Sequence, residues 1–206
     1  MNKSKTSRQK YLTEDEYKRL LGVIRNERDY VLFFLCGNLG LRVGELVRLR
    51  VSDIMKDETG FYLKIPTLKR GGVKGKVKGS IQRGELPKAY EDIPLSSDLA
   101  LIREILSKYI SKYKIKDWIF PYRGLHIPEY TVARYFKSYA RKAGMDPRYS
   151  IHSLRHFKGF YTYKMKTDLR AVQILLRHRD IRTTAIYADA NLDSKRKIVE
   201  GLELFR

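Results

Sequence analysis

A mainly α fold with one small antiparallel β-sheet, an α+β architecture, is what this 206-residue sequence predicts. Three observations lead there. Apolar residues recur at helical spacing along most of the chain, and cap and turn residues punctuate them. The helical period is lost over residues 52–95, where short aromatic and β-branched runs take its place.

Taken in order, residues 1–11 read as a flexible basic arm. Thr13-Glu14-Asp15-Glu16 is a capping box, in which the Thr hydroxyl satisfies an orphan amide and Glu16 reaches back. The helix it opens places Tyr17, Leu20, Leu21 and Ile24 on one face. A second helix spans about Glu27 to Asn38 and ends near Gly40; Val43 to Leu49 is a short third. Phe61-Tyr62-Leu63-Lys64-Ile65 and Asp92-Ile93-Pro94-Leu95 read as strands. Between them, Lys69 to Glu91 holds five glycines and seven basic residues against two acidic ones, which suits a mobile hairpin tip or a solvated linker.

Ser96-Ser97-Asp98 caps a helix to about Tyr113, and Trp118-Ile119-Phe120-Pro121 is a short extended segment. Pro128, at a first-turn position, starts a helix that ends at Gly144. Helices follow over residues 152–166, from the Asp168 cap to about Arg177, and from about Thr183 to Ala188. A last one spans residues 193–204, with Ile198, Leu202 and Phe205 in register. The expected organisation is the arm, a domain over 12–190 with its hairpin insertion at about 69–92, and a tail helix over 191–206.

Bulk composition narrows the partners. The longest apolar run, Val31 to Cys36, is far short of the roughly 18 residues that span a membrane. The basic N-terminus has no apolar stretch behind it, so it is not a secretory signal. The one cysteine, Cys36, rules out an internal disulfide and reads as a small buried hydrophobe. A net charge of +20 implies a polyanion, and nucleic acid is favoured over a membrane surface. The expected location is cytoplasmic, on the nucleoid.

No carboxylate cluster has metal-ligand spacing, so two-metal phosphodiester chemistry is unsupported. No Gly-rich phosphate loop of the Walker type is present, so ATP is not implied. Neither a metal nor another cofactor is expected. What remains is a side-chain nucleophile, cationic donors for the charged transition state, and an acid for the leaving oxygen. The C-terminal part supplies these types: His152-Ser153-Leu154-Arg155-His156, then Leu175-Leu176-Arg177-His178, then Tyr187. His152 and Arg155, three apart on one helix, project from one face. An arginine fork suits phosphate oxygens, and a histidine passes protons near neutral pH. Each of these residues alone is commonplace, and Tyr187 is one of fifteen tyrosines.

Their order changes the odds. From about residue 11 to residue 190 the chain resembles the tyrosine recombinases, or phage integrase family. Gly40-Leu41-Arg42-Val43-Gly44-Glu45-Leu46, followed by Leu49 and Asp53, resembles the first arginine box. His152-Ser153-Leu154-Arg155-His156 matches the His-x-Leu-Arg-His motif, and Leu176-Arg177-His178 with Thr183, Thr184 and Tyr187 resembles the last box. The resemblance implies the fold of that family's catalytic domain and a role for each residue. Tyr187 attacks the scissile phosphate to give a 3′-phosphotyrosyl bond. Arg42 and Arg155 hold its non-bridging oxygens, His152 assists proton transfer, and His178 bonds the phosphate. Glu45 and His156 support the site. Lys69, at the start of the hairpin, is the match for the lysine that protonates the leaving 5′-oxygen. Arg70, Lys74, Lys76, Lys78 and Arg83 track DNA phosphates from the hairpin.

Two departures stand out. Arg177 occupies the position before the second histidine where the family normally has glycine. The match also begins at the catalytic domain, without the helical N-terminal domain that completes a clamp in most relatives. The expectation is a piece of a longer chain, or a short form of the Xer-type, archaeal-integrase or fimbrial-switch kind. The function implied is site-specific recombination of double-stranded DNA, with no metal or ATP, by a monomer that assembles as a homotetramer on DNA through Holliday-junction strand exchange. The C-terminal helix is a candidate for exchange between protomers. The competing readings are a type IB topoisomerase-like nicking-closing enzyme and a non-catalytic architectural DNA-binding protein.

Overall fold

Burial is greatest along the second helix, and the rest of the domain is arranged around it. In the computed structural model, residues 11–58, 60–66, 90–95, 99–166, 168–178 and 180–189 are described. Helix α1 (Glu14–Gly22) starts at Thr13 with both halves of the expected capping box: the Glu16 amide donates to Thr13 Oγ1 at 3.2 Å, and the Thr13 amide donates to Glu16 Oε2 at 2.8 Å. Helix α2 (Glu27–Leu39) is capped by the Asn26 side chain and closed by Gly40 at φ 62°. Its residues Val31 to Gly37 and Leu39 are all buried, so it is covered on every side, as an apolar helix with no polar face requires. Tyr17 of α1 donates its hydroxyl to the Phe34 carbonyl at 3.0 Å. Gly37 leaves room for that ring, since a β-carbon there would lie 2.5 Å from Tyr17 Cζ.

Helix α3 (Val43–Val47) and a 3-10 turn at Val51–Asp53 lead into a three-stranded antiparallel sheet, β1 (Ile54–Asp57), β2 (Gly60–Pro66) and β3 (Tyr90–Pro94), in that order. Leu63 of β2 faces Ile54 on one side and Ile93 on the other. Strand β1 has no counterpart among the strands expected from sequence. Tyr90 and Glu91, expected in the hairpin tip, pair with Pro66 and Ile65 as the first residues of β3. The tip itself lies outside the described residues, as do the Ser96-Ser97-Asp98 cap, the 193–204 helix and all of the 1–11 arm but Tyr11, whose ring stacks on Phe160.

Helix α4 (Ala100–Lys112) packs on α2 through Ile102, Leu106 and Tyr109. A two-stranded ribbon, β4 (Pro121–Tyr122) with β5 (Leu125–His126), precedes α5 (Glu129–Lys142). Pro128 is the N-cap of α5 rather than its first helical residue, because its ψ of 143° is still extended. Gly144, at φ 65°, follows the α5 cap as expected. Helices α6 (Ile151–Lys166), α7 (Leu169–Leu175) and α8 (Arg182–Asp189) complete the described chain. The main core gathers α1 to α6 and the sheet. A second, smaller cluster, Tyr163, Val172, Leu176 and Tyr187 with Phe160 and Leu169 against it, sits among α6, α7 and α8. Among the described residues no helix is long and apolar enough to cross a membrane.

Candidate active site

The first arginine box is built by a helix start. Arg42 is the extended N-cap of α3, and Glu45, one turn in, reaches back to its amide at 2.8 Å. The same carboxylate accepts from Arg42 Nη1 at 2.6 Å. Glu45 is only 1% exposed, whereas the Arg42 side chain is 39% exposed, so the pair presents a guanidinium outward from a buried anchor. Burial pushes the Glu45 carboxyl up, but Arg177 and the Arg42 amide and guanidinium outweigh it and hold the group below the ordinary carboxylate range. Arg177 donates from Nη2 to Glu45 Oε2 at 2.7 Å, and its own carbonyl accepts from Arg42 Nη2 at 3.2 Å. Its φ of 51° lies in the left-handed region, where a β-carbon costs about 1–2 kcal/mol. The family's glycine at this position carries no such cost.

Arg155, on α6, is 6% exposed and points inward. It donates from Nη1 to the Gly40 carbonyl at 2.6 Å and from Nη2 to the Leu176 carbonyl. These carbonyls belong to the caps of α2 and α7, where unpaired acceptors and the negative helix end favour a cation. Gly40 permits this approach: a β-carbon there would sit 2.7 Å from Leu176 Cδ2. Burial, then the like charge of Arg42, lowers the Arg155 pKa to about 10, which leaves it charged at neutral pH. His152 and Arg155 lie three residues apart on α6, the first exposed and the second buried. The 16-residue α6 meets the caps of α2 and α7 at Arg155, and in the turn before it Ile151, Ser153 and Leu154 are buried with only His152 exposed.

His178 follows the Arg177 turn. Its Nδ1 lies 3.0 Å from Thr184 Oγ1, a fully buried hydroxyl on α8, and Gln173 Nε2 donates to its carbonyl at 3.1 Å. When the Thr184 hydroxyl donates to Nδ1, the ring proton resides on Nε2, which becomes the donor available to an anion. Burial and the positive charges of Arg155, Arg42, His156 and Arg177 lower the His178 pKa to about 4. Unfolded histidine titrates near 6.5, so on acidification the unfolded chain gains this proton first. The stability due to neutral His178 is therefore whole above about pH 6.5 and lost as pH falls toward about 4. His178→Gln is expected to flatten the fall in melting temperature across that window. Equal slopes for variant and wild type would show that His178 ionises freely in the fold.

Tyr187 lies in the smaller apolar cluster, 1% exposed. Its hydroxyl is 3.1 Å from His156 Nδ1, and its ring is parallel to His178, with centroids 6.4 Å apart and 9° between planes. Burial raises the phenol to about 12 against the opposing pull of Arg155, so it is protonated at neutral pH. Gly159 of α6 roofs the ring: a β-carbon there would lie 2.5 Å from Tyr187 Cζ and 2.7 Å from Leu176 Cδ1. Gly159→Ala is therefore expected to destabilise the fold by about 1–3 kcal/mol. Urea denaturation measures this, and an unchanged midpoint would place the ring outside that cavity.

The fold thus brings together Arg42, Glu45, Arg155, His156, His178 and Tyr187. His152 is on the same helix but at the surface. Lys69, Arg70, Lys74, Lys76, Lys78 and Arg83 lie outside the described residues. Sequence reasoning gave no role to Thr184, Gly159, Glu91 or the cap carbonyls. Arg177 it saw only as a departure, and an arginine in a glycine's place was the available signal.

This α+β domain gathers the guanidinium groups of Arg42, Arg155 and Arg177, the buried Glu45 carboxylate and His178 in the neighbourhood of Tyr187. The chain belongs to the phage integrase family, whose model matches residues 10–193. It is 32% identical over 207 residues to a tyrosine recombinase XerA of Pyrococcus furiosus, covering 95% of this chain and 62% of that protein. Among solved structures, a XerA recombinase superposes with a TM-score of 0.72 at 22% identity, over 100% of this chain and 68% of that one. A XerH site-specific recombinase in a post-cleavage complex with its palindromic difH substrate gives 0.71 at 18%, over 96% and 55%.

Proposed function

We propose that this chain is the catalytic domain of a site-specific DNA recombinase that cuts and rejoins double-stranded DNA through a 3′-phosphotyrosyl intermediate. The observation that carries the reading is the gathering of Arg42, Arg155 and His178 about Tyr187, from segments far apart in sequence. Three guanidinium groups, of Arg42, Arg155 and Arg177, face one fully buried carboxylate, Glu45, so the cluster carries excess positive charge. A phosphodiester supplies the missing negative charge. Arg42 and Arg155 hold its non-bridging oxygens and stabilise the charge that builds on them, and His178 Nε2 donates to the same group.

In the covalent step the Tyr187 oxygen bonds to phosphorus and the bond to the 5′-oxygen breaks. The phenol proton passes to a histidine, with His152 the candidate acceptor, and Lys69 protonates the departing oxygen. The phosphotyrosyl link conserves the bond energy, so the reverse attack by a 5′-hydroxyl reseals DNA without an energy source. A buried hydroxyl does not reach DNA where it stands, so α8 must shift Tyr187 out from beneath Gly159 before cleavage. Exchange between two duplexes needs four strand cleavages, hence four Tyr187 nucleophiles and a tetramer on DNA.

The test is incubation of the full chain with a pool of nicked suicide duplexes tiling the source chromosome, followed by denaturing electrophoresis. A protein–DNA adduct linked through Tyr187 and a free 5′-hydroxyl strand are expected, with joined products from two duplexes. No adduct on any duplex would end the reading. Relaxation of supercoiled DNA without joined products would assign nicking and closing instead.

A further inference from the structure

The residue before His178 is where this chain departs from its family's pattern, and the fold shows what the departure builds. Arg177 holds a left-handed φ of 51°, which glycine adopts freely and a side chain resists. Its side chain is nonetheless 10% exposed, with each of its three nitrogens near an acceptor. Nη2 donates to Glu45 Oε2 at 2.7 Å, Nη1 donates to the Leu175 carbonyl at 3.3 Å, and Nε lies 3.6 Å from Glu91 Oε2. The carbonyl of the same residue takes Arg42 Nη2 at 3.2 Å. One residue therefore joins the start of α3, the turn before His178 and the first residues of β3.

Glu45 works as a two-ended clip. Its Oε1 takes the Arg42 guanidinium, and its Oε2 takes the Arg42 amide and Arg177. With Arg177 present, Arg42 is anchored both through Glu45 and through the Arg177 carbonyl. A glycine at 177 keeps the carbonyl and loses the side-chain half of the clip.

We propose that Arg177 is a positioning residue for DNA cleavage, fixing Glu45 so that Arg42 meets the scissile phosphate in register with Arg155. The proposal rests on the recombinase reading. Arg177 acts through Arg42 and touches no reacting atom.

The test uses a duplex that wild type cleaves, in single turnovers at saturating DNA. Arg177→Gly is expected to slow adduct formation roughly 10- to 100-fold, the scale on which small misplacements of a catalytic group act. DNA affinity stays within about 3-fold, because the phosphate contacts that dominate it are untouched. The melting temperature changes little, since the backbone relief that glycine brings offsets the loss of the ion pair to buried Glu45. Arg177→Lys keeps a cation and recovers part of the rate. In an Arg42→Ala background, adding Arg177→Gly changes the rate by less than about 3-fold, because the two share one route.

A rate for Arg177→Gly within about 3-fold of wild type overturns the proposal, being smaller than any misplacement argued here. So does a loss of rate that follows a fall in melting temperature and is not recovered by lysine. So does an undiminished further loss in the Arg42→Ala background. Failure of the wild-type chain to form an adduct on any duplex overturns the recombinase reading, and this proposal with it. An adduct with wild type and an unaffected Arg177→Gly leaves the recombinase reading standing.

Discussion

Tyr187→Phe is expected to abolish the covalent protein–DNA adduct while DNA binding stays within a few-fold of wild type. The change deletes one oxygen, and that oxygen is the atom bonded to phosphorus in the proposed intermediate. Losing a nucleophile removes on the order of 10⁴-fold or more of the rate, because the remaining donors only hold the phosphate. Folding is little affected. The ring still fills the cavity under Gly159 and stacks parallel to His178, and only the 3.1 Å hydrogen bond to His156 is lost. A hydrogen bond of that kind has a net worth of about 0.5–1.5 kcal/mol. Denaturing electrophoresis with a salt-dependent binding titration separates the two effects. Persistence of the adduct in the variant would move the nucleophile elsewhere.

Arg155→Ala is expected to reduce both cleavage and stability, and this pairing sets it apart from Tyr187→Phe. As a phosphate donor its loss costs about 100- to 1000-fold in rate. As a structural cation it holds the Gly40 and Leu176 carbonyls at the caps of α2 and α7. Each buried carbonyl left without its donor costs about 1–3 kcal/mol, so a fall in urea midpoint accompanies the fall in rate. Arg155→Lys keeps the charge, but a single ammonium does not reproduce the fork that reaches two carbonyls. It is expected to recover part of the stability and little of the rate. A variant that loses rate at unchanged midpoint would show that the two carbonyl bonds contribute nothing to the fold.

Much of the fold was legible because its signals are local. The Thr13 box, the Asp168 cap and the glycines at 40 and 144 each act within a turn of where they stand. Strand β1 escaped notice because Ile54-Met55-Lys56-Asp57 is too short and too polar to show a period. It forms through pairing with β2, and strand preference of that sort is mostly context. Pro128 was one position out because a proline's fixed φ suits both the cap and the first turn, and only ψ tells them apart.

The site divides in the same way. The residue types and their order, from Arg42 through His152 and Arg155 to His178 and Tyr187, were readable along the chain and pointed to phosphoryl chemistry. Which way those side chains face was not. Tyr187 is buried against Gly159, and Arg155 is turned onto two helix caps while His152, three residues away, is exposed. Arg177 reaches Glu45 across 132 positions and Arg42 across 135. Capping and periodicity depend on neighbours a few residues apart, so sequence alone determined the helices, their order and the chemical character of the boxes. The orientation of each side chain depends on what distant segments place beside it, through burial, like charge and the carbonyls left open at helix ends. Only the tertiary structure decided that.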